Sequence, residues 1–308
     1  MTIRPPVRFK SGRFAGEASL ALLLMFTFLL TACSSRPHHA NPSVQHYAGG
    51  PQCAREPQDG TLSVMTMNLG HGRGNGFHQL TQSAAEIVAN LDDITVLLRE
   101  RVPDIVAFQE IDAPSIWSGG FNHIDYLGEQ GGFCASIRAS HVEMLGLSYG
   151  TALVSRLPLW DPLAVTFEPP LTTVPTGFII STVTLPGRKD FDIDVVSAHL
   201  DFLSRSIRKK QVDALISLLR RRDNHVIVMG DLNSTWSAQG STVQYLMDQL
   251  ELQAYQADSR ELVTFPSLGR RLDWILVSAA FEFDSYQVVG NGLSDHSGVL
   301  ARLVLPSR

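Results

Sequence analysis

Apolar and polar positions alternate with a period of two along Thr61-Leu62-Ser63-Val64-Met65-Thr66-Met67, which predicts a strand stopping at Asn68. From Gln79 to Arg101 the apolar set Leu80, Ala84, Ile87, Val88, Leu91, Ile94 and Leu98 keeps a helical period, and Pro103 ends it. Asp104-Ile105-Val106-Ala107-Phe108 reads as a short buried strand delivering Gln109 and Glu110 at its end. The stretch 111–148 is less regular, with a helix expected from Ala135 to Leu145, and Thr151-Ala152-Leu153-Val154 is a further strand. Two β-branched runs, 177–185 and 191–198, flank Pro186-Gly187-Arg188-Lys189-Asp190, a hairpin signal, and the second run ends at Ala198-His199. A helix follows from Ser204 to Arg222 with Val212, Leu215, Ile216 and Leu219 on one face. Val226-Ile227-Val228-Met229 is a strand ending at Asp231, and late strands are expected at 272–277, 282–289 and 298–305.

Strands outnumber helices, helices separate several strand pairs, and hairpins interrupt any strict β-helix-β alternation. This pattern suits an α/β protein with mixed sheets, two of them packed together with helices outside. No repeat of solenoid type is visible.

The first 32 residues follow another logic. Arg4, Arg8, Lys10 and Arg13 form a positive start, Ser19 to Leu30 is an apolar run short for a membrane span, and Leu30-Thr31-Ala32 places small residues before Cys33. The order resembles a bacterial lipoprotein signal, which implies a lipidated Cys33 at the start of the mature chain. Ser34 follows rather than Asp, pointing to the outer membrane if the bacterium has two. Residues 33–59 are polar and rich in Pro, Gly and His, and read as a tether before a domain spanning 60–308. His38, His39 and His46 stand in that tether without an organised ligand set.

Removing residues 1–32 shifts the formal net charge from −5 to −8, because four basic residues and Glu17 leave together. By net charge the mature chain is not a generic polyanion binder, although a groove can be locally positive. The arginines at 220–222 sit in a last helical turn: a basic patch for a nucleic acid, or, the preferred reading, cations that complement the helix C-terminus on a solvated face. With Cys33 lipidated, Cys53 and Cys134 remain: a disulfide outside the cytoplasm, or two free thiols. No cysteine spacing suits structural zinc.

The chemistry concentrates where strands stop: Asn68, Glu110, His199, Asp231, Asn233, Asp273, Asp295 and His296. Carboxylate and amide oxygens suit Mg²⁺ or Mn²⁺, and a His beside an Asp suits proton transfer at neutral pH. Singly, each residue is as compatible with a turn or a helix cap. As a set they suggest metal-assisted attack of water on a phosphate ester.

Six blocks extend that reading. Met67-Asn68-Leu69, Gln109-Glu110, Ser197-Ala198-His199-Leu200, Gly230-Asp231-Leu232-Asn233, Arg271-Leu272-Asp273-Trp274 and Ser294-Asp295-His296 occur in the order found in the endonuclease/exonuclease/phosphatase superfamily, which the chain resembles over residues 61–305. The resemblance implies a four-layer α-β-β-α sandwich of two packed mixed sheets with outer helices. It implies Glu110 as main ligand of a divalent metal, Asn68 as amide ligand or positioning donor, and Asp295 as a second carboxylate at the metal or its water shell. Asp231 would orient or deprotonate the attacking water, and Asn233 would donate to a phosphate oxygen. His296, held by Asp273, would serve as general base or phosphate-stabilising cation, and His199 would bond the phosphate or help protonate the leaving oxygen.

Further features stay open. The glycine-rich loop Asn68 to Gly76 could let backbone approach a phosphate, with His71 or Arg73 assisting, but it lacks the Lys of a Walker loop. Arg156 faces a substrate or closes a turn; Arg208 and Gln211 have structural positions. Some nucleases pair the equivalent of His199 with a Glu, and here Asp112, Asp125, Glu129 and Glu143 are all candidates by position. The expectation is a monomeric, membrane-anchored phosphoester hydrolase acting on a phospholipid headgroup, a small phosphodiester or a nucleic acid. The alternatives are an extracellular nuclease of the same fold and a catalytically dead binding module.

Overall fold

The computed structural model describes residues 37–48, 58–76, 78, 81–144, 146–168, 173–188 and 190–307. The apolar run 19–30, Cys33 and Cys53 lie outside the described residues. In chain order, β1 (His38–Ala40), β2 (Gln45–His46) and β3 (Thr61–Asn68) precede α1 (Ala84–Arg101), and β4 (Ile105–Asp112) leads to α2 (His123–Gln130). Next come β5 (Ala135–Met144), β6 (Leu147–Ser155), β7 (Leu159–Phe167), β8 (Thr176–Thr184), β9 (Asp192–His199) and α3 (Arg205–Arg222). β10 (His225–Asp231), α4 (Thr242–Leu250), β11 (Leu252–Ala254), β12 (Asp273–Ser278), β13 (Glu282–Val289) and β14 (Gly298–Val304) complete it. Among the described residues no helix is long and apolar enough to cross a membrane.

The strands form two seven-stranded sheets, ordered β1-β7-β8-β9-β10-β12-β11 and β13-β14-β3-β4-β6-β5-β2. β9 and β10 run parallel, as do β3 and β4, and the remaining pairs are antiparallel. Period-two patterning explains why the sheets stack. Leu62, Val64, Ile105 and Ala107 of one sheet meet Val195, Ile227, Met229 and Ile275 of the other in a shared core. The opposite faces are apolar too: Met65, Met67, Val106 and Phe108 pack under α1 and α2, while Val196, Val228 and Trp274 pack under α3 and α4. Strands buried on both faces carry nearly unbroken apolar runs. The result is the expected α-β-β-α sandwich.

Several elements differ from the sequence reading. Residues 135–144 form β5, not a helix: Ala135, Ile137 and Ala139 point into the inter-sheet core. The helix in that region is α2, capped by the side chain of Asn122. β7 and α4 were not anticipated. Within the stretch expected to be a tether, β1 pairs with β7 and β2 with β5, so residues 38–46 strap the same open edge of both sheets.

The site follows from strand polarity. The inter-sheet faces of β3, β9 and β10 are apolar at one end and continue into Asn68, His199 and Asp231 at the other; β12 begins there at Asp273. Register confirms the common level: Asn68 lies opposite Gln109, Asp231 opposite both His199 and Asp273. Just below, Gln109 Nε2 donates to Ser197 Oγ at 3.0 Å, a buried polar link between the sheets.

Candidate active site

Alternation along β4 sends Phe108 outward and Gln109 inward, so Glu110 would point away from the other sheet. A β-bulge between Gln109 and Ile111, with Glu110 at φ 48°, prevents this. Ile111 resumes the outward face, and Glu110 turns in. Asn68 Nδ2 donates to Glu110 Oε1 at 3.2 Å and to Asp231 Oδ2 at 3.3 Å. The Asn68 amide oxygen accepts from Gly70 N–H, so its amino group faces the carboxylates.

Asp231 is nearly sealed from solvent. Its Oδ1 accepts from the Asn233 backbone, and its Oδ2 lies 3.8 Å from both His199 Nε2 and His296 Nε2. Gly230 makes this possible: φ is 145°, and a Cβ there would overlap the Ala198 carbonyl. Asn233, also left-handed, donates Nδ2 to the Leu200 carbonyl at 2.9 Å. Behind His296, Nδ1 meets Asp273 Oδ2 at 2.8 Å, and Phe265 lies over the ring at 4.6 Å.

These neighbours shift protonation. Burial is the main influence raising Asp231, with repulsion from Asp273 next, to about 6. Burial alone would lower His296, but Asp273, then Asp231 and Asp295, raise it to about 10. For Glu110 burial pushes upward, and His71, His199, the Asn68 hydrogen bond and His296 together pull it down to about 2. At neutral pH the site therefore holds an imidazolium at His296 beside carboxylates at Asp231 and Glu110.

The glycine-rich loop contributes more than its sequence announces. Gly70, His71 and Gly72 all have positive φ, which folds the loop back over the site. His71 Nδ1 bonds Asp112 Oδ1 at 2.8 Å, and Nε2 lies 3.4 Å from Glu110 Oε2, between the rings of Trp117 and Tyr149. Asp112 thus belongs to His71, not His199. Arg73 binds the Asp295 carboxylate, donates to the Gly70 carbonyl, and reaches within 4.0 Å of Glu110 Oε2. No periodicity marks these two residues; only their place in a glycine-rich loop singled them out.

Other candidates fall away from the centre. Arg156 closes turns by donating to the carbonyls of Pro103, Gly131 and Gly132. Gln211 and Arg208 brace the loop after His199 through Asp201. Arg222 is tied to Asp194 and Asp161. Cys134 is disulfide-bonded, and both other cysteines lie outside the described residues.

Two clusters could hold a cation. Asp231, Asp273 and His296 offer ligand atoms within 4.8 Å of one another. The hydrogen bond from His296 to Asp273 already spends part of that donor set, and it reads better as a proton-handling group. Glu110 and Asp295 fit a hard divalent ion better: both are carboxylates, and the guanidinium spanning them shows that positive charge is accommodated there.

A profile of the Endonuclease/Exonuclease/phosphatase family matches residues 65–296. No curated protein matches the chain. Among solved structures, an endonuclease/exonuclease/phosphatase from Beutenbergia cavernae is similar at TM-score 0.63 and 19% identity, over 82% of this chain and 72% of that one. A family protein from Leptotrichia buccalis is similar at 0.60 and 17%, over 79% and 99%. Truncated TDP2 from Caenorhabditis elegans is similar at 0.55 and 15%, over 79% and 97%. These structures share the sandwich, and the profile spans the strand ends from β3 to His296. The chain belongs to the endonuclease/exonuclease/phosphatase family.

Proposed function

We propose that the chain is a divalent-metal-dependent phosphoester hydrolase, held outside the cytoplasm by a lipid on Cys33. The observation that carries the chemistry is Asp231: a buried carboxylate between two imidazoles, beside a carboxylate pair suited to Mg²⁺ or Mn²⁺. A metal held by Glu110 and Asp295 would polarise the phosphoryl oxygen and offset its charge. Asp231, ionised above about pH 6, orients water and takes its proton. His296, kept protonated by Asp273, holds a phosphate oxygen by charge-assisted hydrogen bonding. His199, across Asp231 from His296, lies where it can bond the phosphate or the leaving oxygen.

The full chain is to be assayed with Mg²⁺, Mn²⁺ or EDTA on DNA, RNA, phospholipid vesicles and phosphomonoesters. Turnover of one class should require the metal, and Asp231→Asn or His296→Ala should lower it at least ~100-fold with circular dichroism unchanged. Full turnover in both variants would sink the assignment.

A further inference from the structure

The large apolar side chains left in solvent are not scattered evenly. Ten are exposed among the described residues, and six of them, Ile116, Met144, Val174, Phe202, Leu203 and Leu268, stand on loops, turns or a strand end at the active-site end of the sandwich. Topology places each one. Ile116 follows β4 beyond Asp112, and its N–H bonds Gly146 at the tip of the β5–β6 hairpin that carries Met144. Val174 precedes β8, whose Gly177 lies opposite His199, and neighbouring Thr173 bonds Asp201. Phe202 and Leu203 follow β9 directly after His199 and Leu200, in a turn fixed by Asp201 Oδ1. Leu268 tips the turn whose Phe265 covers His296. Ile116, Leu203 and Leu268 are 75%, 61% and 60% exposed, which folding alone does not reward.

The chain also enters the described body at this end. His38 of β1 lies opposite Thr166, Phe167 opposite Thr176, and Gly177 opposite His199, so the start of β1 is on the level of the catalytic residues. Four residues lie between Cys33 and His38, so five Cα–Cα steps limit the reach to ~17 Å. A lipid on Cys33 would hold the apolar rim close to a bilayer surface.

We infer that the active-site end docks on a lipid bilayer through this rim, and that the phosphoester taken is a lipid headgroup presented at the membrane surface. The inference rests on the reading of Cys33 as a lipid anchor and of the site as a phosphoesterase. Insertion is by apolar side chains, since the mature chain carries net negative charge, so docking on neutral phosphatidylcholine survives high salt.

The test uses the full chain reconstituted into phosphatidylcholine vesicles. Nitroxide labels are placed at Phe202→Cys, at Leu268→Cys, and at Val304→Cys as an exposed control at the far end of β14. Depth is read from relaxation by oxygen against a water-soluble nickel complex. Labels at 202 and 268 should lie in the lipid interface in 1 M salt, and the label at 304 in water. Labels at 202 and 268 in water on vesicle-bound protein, or buried by concentration-dependent self-association without lipid, would overturn the docking. Mass spectrometry of Cys33 separates the two readings: an unmodified Cys33 with lipid-buried labels removes the anchor and keeps the rim, whereas a lipidated Cys33 with labels in water keeps the anchor and removes the rim. As a functional arm, Phe202→Ser with Leu268→Ser should cut hydrolysis of vesicle phospholipid at least tenfold relative to hydrolysis of a soluble aryl phosphodiester. An unchanged ratio, or faster hydrolysis of DNA than of phospholipid by the unsubstituted chain, would overturn the substrate class.

Discussion

Two imidazoles and a guanidinium, from His71, His199 and Arg73, lie within 4.0 Å of Glu110, and the loop that supplies His71 and Arg73 runs through positive φ. Arg73 pairs with Asp295 and reaches Glu110, so removing it takes the shared cation from both carboxylates. Arg73→Ala should lower the melting temperature in EDTA and enlarge the upward shift caused by Mn²⁺; calorimetric scans with and without the ion would show an unchanged shift if Arg73 were only a surface contact. His296 gives a pH signature. Its folded-state pKa, about 10, lies above the ordinary 6.5, so the folded state binds the proton more tightly. The stabilisation is fully present below pH 6.5 and is lost as pH rises toward 10. Melting temperature followed over that interval should decline more gently in Asp273→Asn, and parallel slopes would refute the pair's contribution. Asn68, His199 and Asp231 close β3, β9 and β10, the strand ends at which the sequence places them. His71 and Arg73 stood out only through the glycine-rich loop that carries them, because their reach depends on backbone dihedrals that residue order does not display.

Elements carry their own determinants. α1 starts at a capping box in which Ser83 and Glu86 satisfy each other's backbone N–H groups, so Ser83→Ala should cost ~1 kcal/mol in urea unfolding. An unaltered midpoint would mean that the fraying first turn carries no cooperative stability. β10 depends on Gly230 for its close approach to β9. Gly230→Ala should cost ~2–3 kcal/mol and displace Asp231, seen as a loss of stability together with turnover. Both strands were readable from β-branched runs. β5 was not: Ala-Ser-Ile-Arg-Ala-Ser mixes strong helix formers with a faint period of two, and its strand state is decided by pairing with β6. The bulge at Glu110 was equally invisible, although it alone turns that carboxylate inward.

At the scale of the molecule the sandwich is polarised. Aliphatic side chains fill the space between the sheets at one end, and a hydrogen-bonded layer through Gln109 and Ser197 leads to titratable groups at the other. The two-sheet architecture was legible because both faces of its central strands are apolar. The edge strap was not, since residues 37–48 are polar and gain order only from partners far along the chain. That strap has a kinetic meaning. Residues 38–46 are synthesised before β5 and β7 exist, yet they pair with those strands. Closing such long loops is slow relative to hairpin formation. Pulse-labelled hydrogen exchange during refolding should show the amides of β1 and β2 protected after those of β7 and β8. A segment made before its partner strands is then the last to lock, and the sandwich closes its open edge only after the strands of that edge have formed.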